Sequence, residues 1–191
     1  MAGKQEKILS DRRIADLLFI AAAYRQPLRN RVMVLLSVKA GLRAAEIANL
    51  DWNMILDGAG QIGPTIELHD AVAKNGSGRR LPIHPLLHDA LQALLSLTGP
   101  AGPVVRSERG GRMTAVSIVN WFARAYRIIG LIGCSSHSGR RTFITRAARL
   151  VHHAGGSLRD VQVLAGHASI QTTQRYIDGD SDAQRKLVGM I

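Results

Sequence analysis

A mainly helical α+β domain, with its helices gathered round a small three-stranded antiparallel sheet, is the fold class that three observations predict. Apolar residues recur every three or four positions over most of the 191-residue chain, the pattern of helices with one buried face. That period gives way between residues 52 and 83 to short β-rich runs separated by Gly-rich turns. Hydrophobic residues make up 46% of the chain, enough for a core, and the length favours a single domain.

Residues 1–9 read as a polar lead-in. Ser10 or Asp11 caps a first helix whose stripe is Ile14, Leu17, Leu18 and Ala21, and Pro27 breaks the pattern. A second helix runs from Leu28 to Ala40 through VMVLLSV, with Gly41 as its C-terminal cap. AAEIANL follows Arg43 as a short third helix. WNMIL, PTIEL and RRLPI are the three expected strands, with Asp57–Gly60 and KNGSG as turns. Pro85 opens a helix carrying Leu86, Leu87, Leu91, Leu94 and Leu95. Residues 98–113 form a Gly- and Pro-rich loop zone, and Thr114 caps a helix reaching about Ile129. GLIGCSS links to a long helix that carries His137 and Arg140 and ends near Gly155-Gly156. Leu158–Ala165 and Thr172–Tyr176 are shorter helical pieces, and 181–191 form a C-terminal helix.

The formal charge is +11, from 25 basic and 14 acidic residues, which points to a polyanionic partner, most often nucleic acid. Aromatics are only 4%, so contacts to a phosphate backbone fit better than base stacking. Cys134 is the sole cysteine, which excludes an internal disulfide and favours a reducing, cytoplasmic compartment. The charged MAGKQEKILSDRR lacks the apolar core of a signal peptide, and no apolar run is long enough for a membrane span.

The chemistry gathers between His137 and Tyr176. His137 and Arg140 are three residues apart and share a helix face; His167 and Tyr176 close the stretch. Two imidazoles, a guanidinium and a phenol offer donors for an anion and a hydroxyl that can attack one. Without a carboxylate pair or a metal cage, the set suits phosphoryl chemistry with no cofactor. Arg43 and Lys74 are the candidates for a second arginine and a lysine.

AGLRAAEIANL around Arg43, Lys74 in its Gly-rich turn, HSGR at 137–140 and LAGHASIQTTQRY from Leu164 to Tyr176, in that order, resemble the catalytic domain of the tyrosine recombinases, the phage-integrase family. The resemblance covers roughly residues 10–180. It implies the fold of the DNA breaking-rejoining enzymes, a double-stranded DNA substrate, and a 3′-phosphotyrosyl intermediate formed by Tyr176. It implies that Arg43 and Arg140 clamp the scissile phosphate, that His167 donates a hydrogen bond to it, that His137 does the same or moves the tyrosine proton, and that Lys74 protonates the leaving 5′-oxygen. Glu46 falls on the acidic position of the family's first motif and would buttress Arg43. Four protomers on two duplexes are implied, with residues 181–191 exchanged between neighbours.

Gly139-Arg140-Arg141 departs from the family's usual Leu-Arg-His and is expected to place Arg140 near a helix start. The chain begins almost at the catalytic domain, as in short members such as fimbrial phase-variation invertases, so an accessory DNA-binding protein is expected to replace the N-terminal clamp. A type IB topoisomerase, which shares the constellation, and a catalytically idle DNA-binding regulator are the alternatives. Cys134 and Arg140 also bear the spacing of a cysteine-phosphatase loop, but Gly139 is the only glycine among the five residues between them and no histidine stands directly before the cysteine.

Overall fold

A computed structural model of the chain describes residues 8–73, 76–176 and 188–191. It contains eight helices and a two-stranded sheet among those residues: α1 (Asp11–Ala23), α2 (Pro27–Lys39), α3 (Ala44–Asn49), β1 (Thr65–Leu68), β2 (Arg79–Pro82), α4 (Pro85–Thr98), α5 (Ala115–Ile128), α6 (His137–Leu150), α7 (Leu158–Ala165) and α8 (Ile170–Gln174). None of these helices is long and apolar enough to cross a membrane.

The centre of the fold is α2. Its run from Val32 to Val38 is buried on every side, as a helix that is apolar all round requires. It packs against α1, α3, α4 and α6. Pro27 does not break a helix here but occupies its first turn, where a missing N–H costs nothing. The caps of α1 and α5 are those expected, with Ser10 accepting from the Arg13 amide and Thr114 from the Ser117 amide. His84 caps α4 by accepting from the Leu86 amide through Nδ1, so this histidine is structural.

The expected sheet loses a strand. β1 and β2 pair antiparallel, Thr65 opposite Pro82 and Leu68 opposite Arg79, but Trp52–Met54 form a 3-10 turn. Trp52 and Ile55, three residues apart, are both buried, and so is Met54 beside Ile55. A strand would have sent alternate residues to opposite faces, so only a helical turn can bury this set. The Asp57–Gly60 turn is present: Asp57 Oδ1 accepts from the Ala59 and Gln61 amides, and Gly60 has φ +75°.

Two further boundaries move. The sixth helix ends at Leu150, and Val151–Gly155 are turns. The last described helix is Ile170–Gln174, so Tyr176 lies just beyond it rather than within it. Residues 181–187 of the expected C-terminal helix, and Lys74, fall outside the described residues.

A second, smaller cluster joins α6 to α7 through Ile144, Ala148, Val151, Val161 and Ala165, and Tyr176 packs against it. Gly139 lets α6 lie on α2: a Cβ there would run into the Ser37 side chain and stand 3.1 Å from Val38. The start of α6, the end of α2 and the end of α7 therefore meet at one place.

Candidate active site

That meeting place holds a buried knot of charge. Arg43 stands at the N-cap of α3 and Glu46 three residues on. Glu46 reaches back to accept from the Arg43 amide at 2.9 Å, and its Oε1 accepts from Arg43 Nη1 at 2.8 Å. Its carboxylate also takes both ends of a second guanidinium, Arg79 Nη1 at 3.0 Å and Nη2 at 3.1 Å. Glu46 is fully buried. Burial pushes its carboxyl up, but the hydrogen bonds and charge of Arg79, then of Arg43, outweigh this and leave it below the usual carboxylate range.

Arg79 opens β2. Its inward-facing neighbours are Leu81 on its own strand and Leu68 opposite. Its Nε donates to the Leu164 carbonyl at 2.9 Å. The guanidinium lies over Gly166, where a Cβ would stand 2.7 Å from Nη1. Glycine is needed there twice over, because Gly166 caps α7 in the left-handed region at φ +60°.

Arg140 is the fourth residue of α6 and only 3% exposed. Its Nη1 donates to the Gly41 carbonyl and Nη2 to the Ala165 carbonyl, both at 2.6 Å. The guanidinium is thus aimed by the turn that ends α2 and the turn that ends α7. Burial first, and then the nearby Arg43 charge, pulls its pKa down to about 10, which leaves it charged at neutral pH.

His167 follows the Gly166 turn. Its amide donates to the Gln162 carbonyl at 3.1 Å, and Gln162 Nε2 returns a bond to the His167 carbonyl at 2.9 Å. Nδ1 shares a hydrogen bond with Thr173 Oγ1 at 2.9 Å. Burial, and after it the charges of Arg140, Arg43 and Arg79, lowers this imidazole to a pKa of about 4. It is therefore neutral at physiological pH. The Tyr176 ring stacks on it, centroids 5.5 Å apart at 25°. Arg141 Cζ sits 5.4 Å from the centroid of the same ring.

Arg43, Glu46, Arg140, His167 and Tyr176 are therefore brought together as expected. His137 begins α6 one turn before Arg140, with its imidazole exposed. Two residues were not anticipated. Arg79 could have been found from strand alternation, which puts it on the inward side with Leu81, where a charge needs a partner. Arg141 had no local signal, since its contact depends on how α6 meets the chain after α8. Among the described residues, no three His, Cys, Asp or Glu side chains gather as a metal-ligand set.

The sequence model of the phage integrase family matches residues 7–182. The tyrosine recombinase XerC of Rhodospirillum centenum is 29% identical over 160 residues, covering 81% of this chain and 44% of the relative. XerC of Nitrobacter winogradskyi is 30% identical over 182 residues, covering 90% and 53%. The chain spans about half the length of these curated relatives. The crystal structure of XerA recombinase superposes with a TM-score of 0.75 at 23% identity, over 97% of this chain and 65% of that one. XerH bound to its palindromic difH substrate in a post-cleavage complex gives 0.76 at 19%, over 98% and 53%. These superpositions establish the fold.

Proposed function

The chain belongs to the phage integrase family, and from that membership we propose that it is a site-specific DNA recombinase that cuts and rejoins double-stranded DNA through a covalent bond to Tyr176. One observation supports the reading: Arg43, Arg140 and a neutral His167 belong to one cluster whose cations outnumber the buried Glu46 carboxylate, so it is short of negative charge, and the Tyr176 ring stacks on that His167. A phosphodiester supplies that charge.

Arg43 and Arg140 hold the non-bridging oxygens. Two N–H groups of Arg140 are committed to carbonyls, which fixes the fork and leaves the others for phosphate. Fixed cations stabilise the charge that builds on those oxygens in the transition state. His167, neutral and steadied by Thr173, donates a hydrogen bond from its other ring nitrogen. The oxygen of Tyr176 attacks phosphorus, the bond to the 5′-oxygen breaks, and the phenol proton leaves by way of His137, exposed at the start of α6. Lys74 supplies the proton that the 5′-oxygen gains. The product is a 3′-phosphotyrosyl link and a free 5′-hydroxyl. One phosphodiester replaces another, so a second 5′-hydroxyl reverses the step with no input of energy. Glu46 holds Arg43 in place and needs Arg79 to remain charged there.

The net charge of +11 supports a DNA substrate. So does the likeness to the Tn1549 transposon integrase, solved in complex with transposon right end DNA, at a TM-score of 0.72 and 18% identity. The reading extends to a tetramer on two duplexes, to an accessory DNA-binding protein, and to a nucleoid location in the cytoplasm. Val188, Met190 and Ile191 are exposed at the C-terminus, apolar groups suited to a neighbouring protomer. Deleting residues 181–191 tests this through assembly on DNA.

Covalent capture in cells tests the whole. Wild type and Tyr176→Phe are expressed, denatured and recovered, and attached DNA is sequenced. Adducts from the wild type alone, at recurring junctions, are expected. Dispersed adducts would instead indicate topoisomerase-like relaxation, and adducts in both proteins would remove Tyr176 as the nucleophile.

A further inference from the structure

We propose that Arg141 is a positioning residue for the nucleophile: its guanidinium, laid on the Tyr176 ring, docks the phenol in the site and favours the ring as it gains charge during attack. The proposal rests on the reading of Tyr176 as the nucleophile.

Adjacent residues on a helix point about 100° apart, so Arg140 and Arg141 serve different sites. Arg140 faces the carbonyls of Gly41 and Ala165. Arg141 is half-buried, and its Nε is shielded from water with no hydrogen-bond partner among the described residues. What it does have is the face of Tyr176, 5.4 Å from Cζ to ring centroid. A guanidinium suits such a place, being planar, weakly hydrated and permanently charged.

Tyr176 needs docking contacts. It lies past the end of the five-residue α8; its amide donates to the Thr173 carbonyl at 3.0 Å, and among the described residues its carbonyl accepts a long bond from Thr145 Oγ1, at 3.5 Å. The ring packs against the α6–α7 cluster on its apolar side, and its contacts with the ring of His167 and the guanidinium of Arg141 add to the placing of the hydroxyl. His167 is neutral, so Arg141 is the cation of the pair. In the transition state the Tyr176 oxygen has given up its proton and is only partly bonded to phosphorus, so the ring has phenolate character and is more electron-rich than in the free phenol. A cation on its face is attracted more strongly then than before, which is the condition for lowering a barrier.

The test uses the full chain with 3-fluorotyrosine in place of its three tyrosines. The Tyr176 signal is assigned by its loss in Tyr176→Phe. Arg141→Met keeps the apolar stem and removes the charge, whereas Arg141→Lys keeps the charge. Covalent adducts with chromosomal DNA, DNA co-purified under native conditions and thermal melting are measured in parallel. We expect Arg141→Met to shift the Tyr176 fluorine signal and to cut adducts by about 2- to 30-fold, the range of a cation–π contact. Co-purified DNA and melting should hold, and Arg141→Lys should recover part of the adduct yield. Unchanged adducts in Arg141→Met overturn the proposal. So does a fall in co-purified DNA that matches the fall in adducts, since Arg141 would then be a DNA contact. If the wild type itself forms no adducts, the nucleophile reading fails and takes the proposal with it.

Discussion

Arg79 lays both ends of its guanidinium on the Glu46 carboxylate, Nη1 to Oε1 at 3.0 Å and Nη2 to Oε2 at 3.1 Å, with both side chains buried. Through that pair the sheet is locked to α3. Through the Leu164 carbonyl the same arginine is locked to the end of α7. Arg43 and His167, on different elements, are thus held in one frame by a residue with no assigned chemical role.

The pair should show strong coupling. Removing Glu46 leaves Arg79 buried and unpaired beside Arg43 and Arg140, and breaking a buried pair this way costs about 3–5 kcal/mol. Glu46→Ala and Arg79→Met should each lower stability by that order in urea unfolding. The double variant should lose clearly less than the sum, because neither charge is then stranded. Additive losses would mean the two side chains do not share an interaction.

Gly139→Ala should destabilise the fold by about 1–3 kcal/mol, the usual cost of overpacking. The added methyl meets Ser37, whose Oγ is buried and has no hydrogen-bond partner among the described residues. Ser37→Gly opens that space, so Gly139→Ala should cost much less in the Ser37→Gly background. Equal costs in both backgrounds would show that α6 does not lie this close to α2.

The readable parts of this site are those marked by local signals. Arg43 follows a glycine that ends α2, Arg140 follows a glycine that admits α6 to α2, and His167 follows the glycine that caps α7. Each residue sits at an element end, and element ends are what glycine and capping residues reveal. Arg79 was hidden although RRLPI reads as a strand, because an Arg-Arg pair beside a Gly-rich turn reads as solvated, whereas β2 buries alternate residues from Arg79 onward. Arg141 depends on a long-range meeting that no local pattern encodes. WNMIL has strand composition, and only the joint burial of Trp52 and Ile55 distinguishes a turn from a strand there.

Lys74→Ala should slow cleavage while leaving DNA binding near that of the wild type, if this lysine protonates the leaving oxygen. The target junctions recovered from covalent capture supply the substrate. Replacing the bridging 5′-oxygen by sulfur gives a leaving group that needs no proton, so cleavage by Lys74→Ala should return towards the wild-type rate on that substrate. Single-turnover rates on the two substrates make the comparison. A deficit that persists with sulfur would assign Lys74 to binding rather than to proton transfer.

His167 makes a prediction about acid. Its imidazole has a pKa of about 4 in the folded chain against an ordinary value of 6.5. Between those two values the unfolded chain carries the proton and the folded one does not. Stability from this group is therefore complete above about pH 6.5 and is lost as pH falls towards 4. At 1.36 kcal/mol per unit the loss is about 3 kcal/mol at most. Carboxylates held low, such as Glu46, add their own acid sensitivity, so a control is needed. His167→Gln cannot take a proton and keeps those carboxylates. Urea unfolding of both proteins at pH 7 and pH 4.5 should show a larger loss for the wild type. Equal losses would mean the imidazole is not buried neutral among Arg43, Arg79 and Arg140. Bound DNA should narrow the difference, because a phosphate beside these arginines offsets the field that drives the proton off His167.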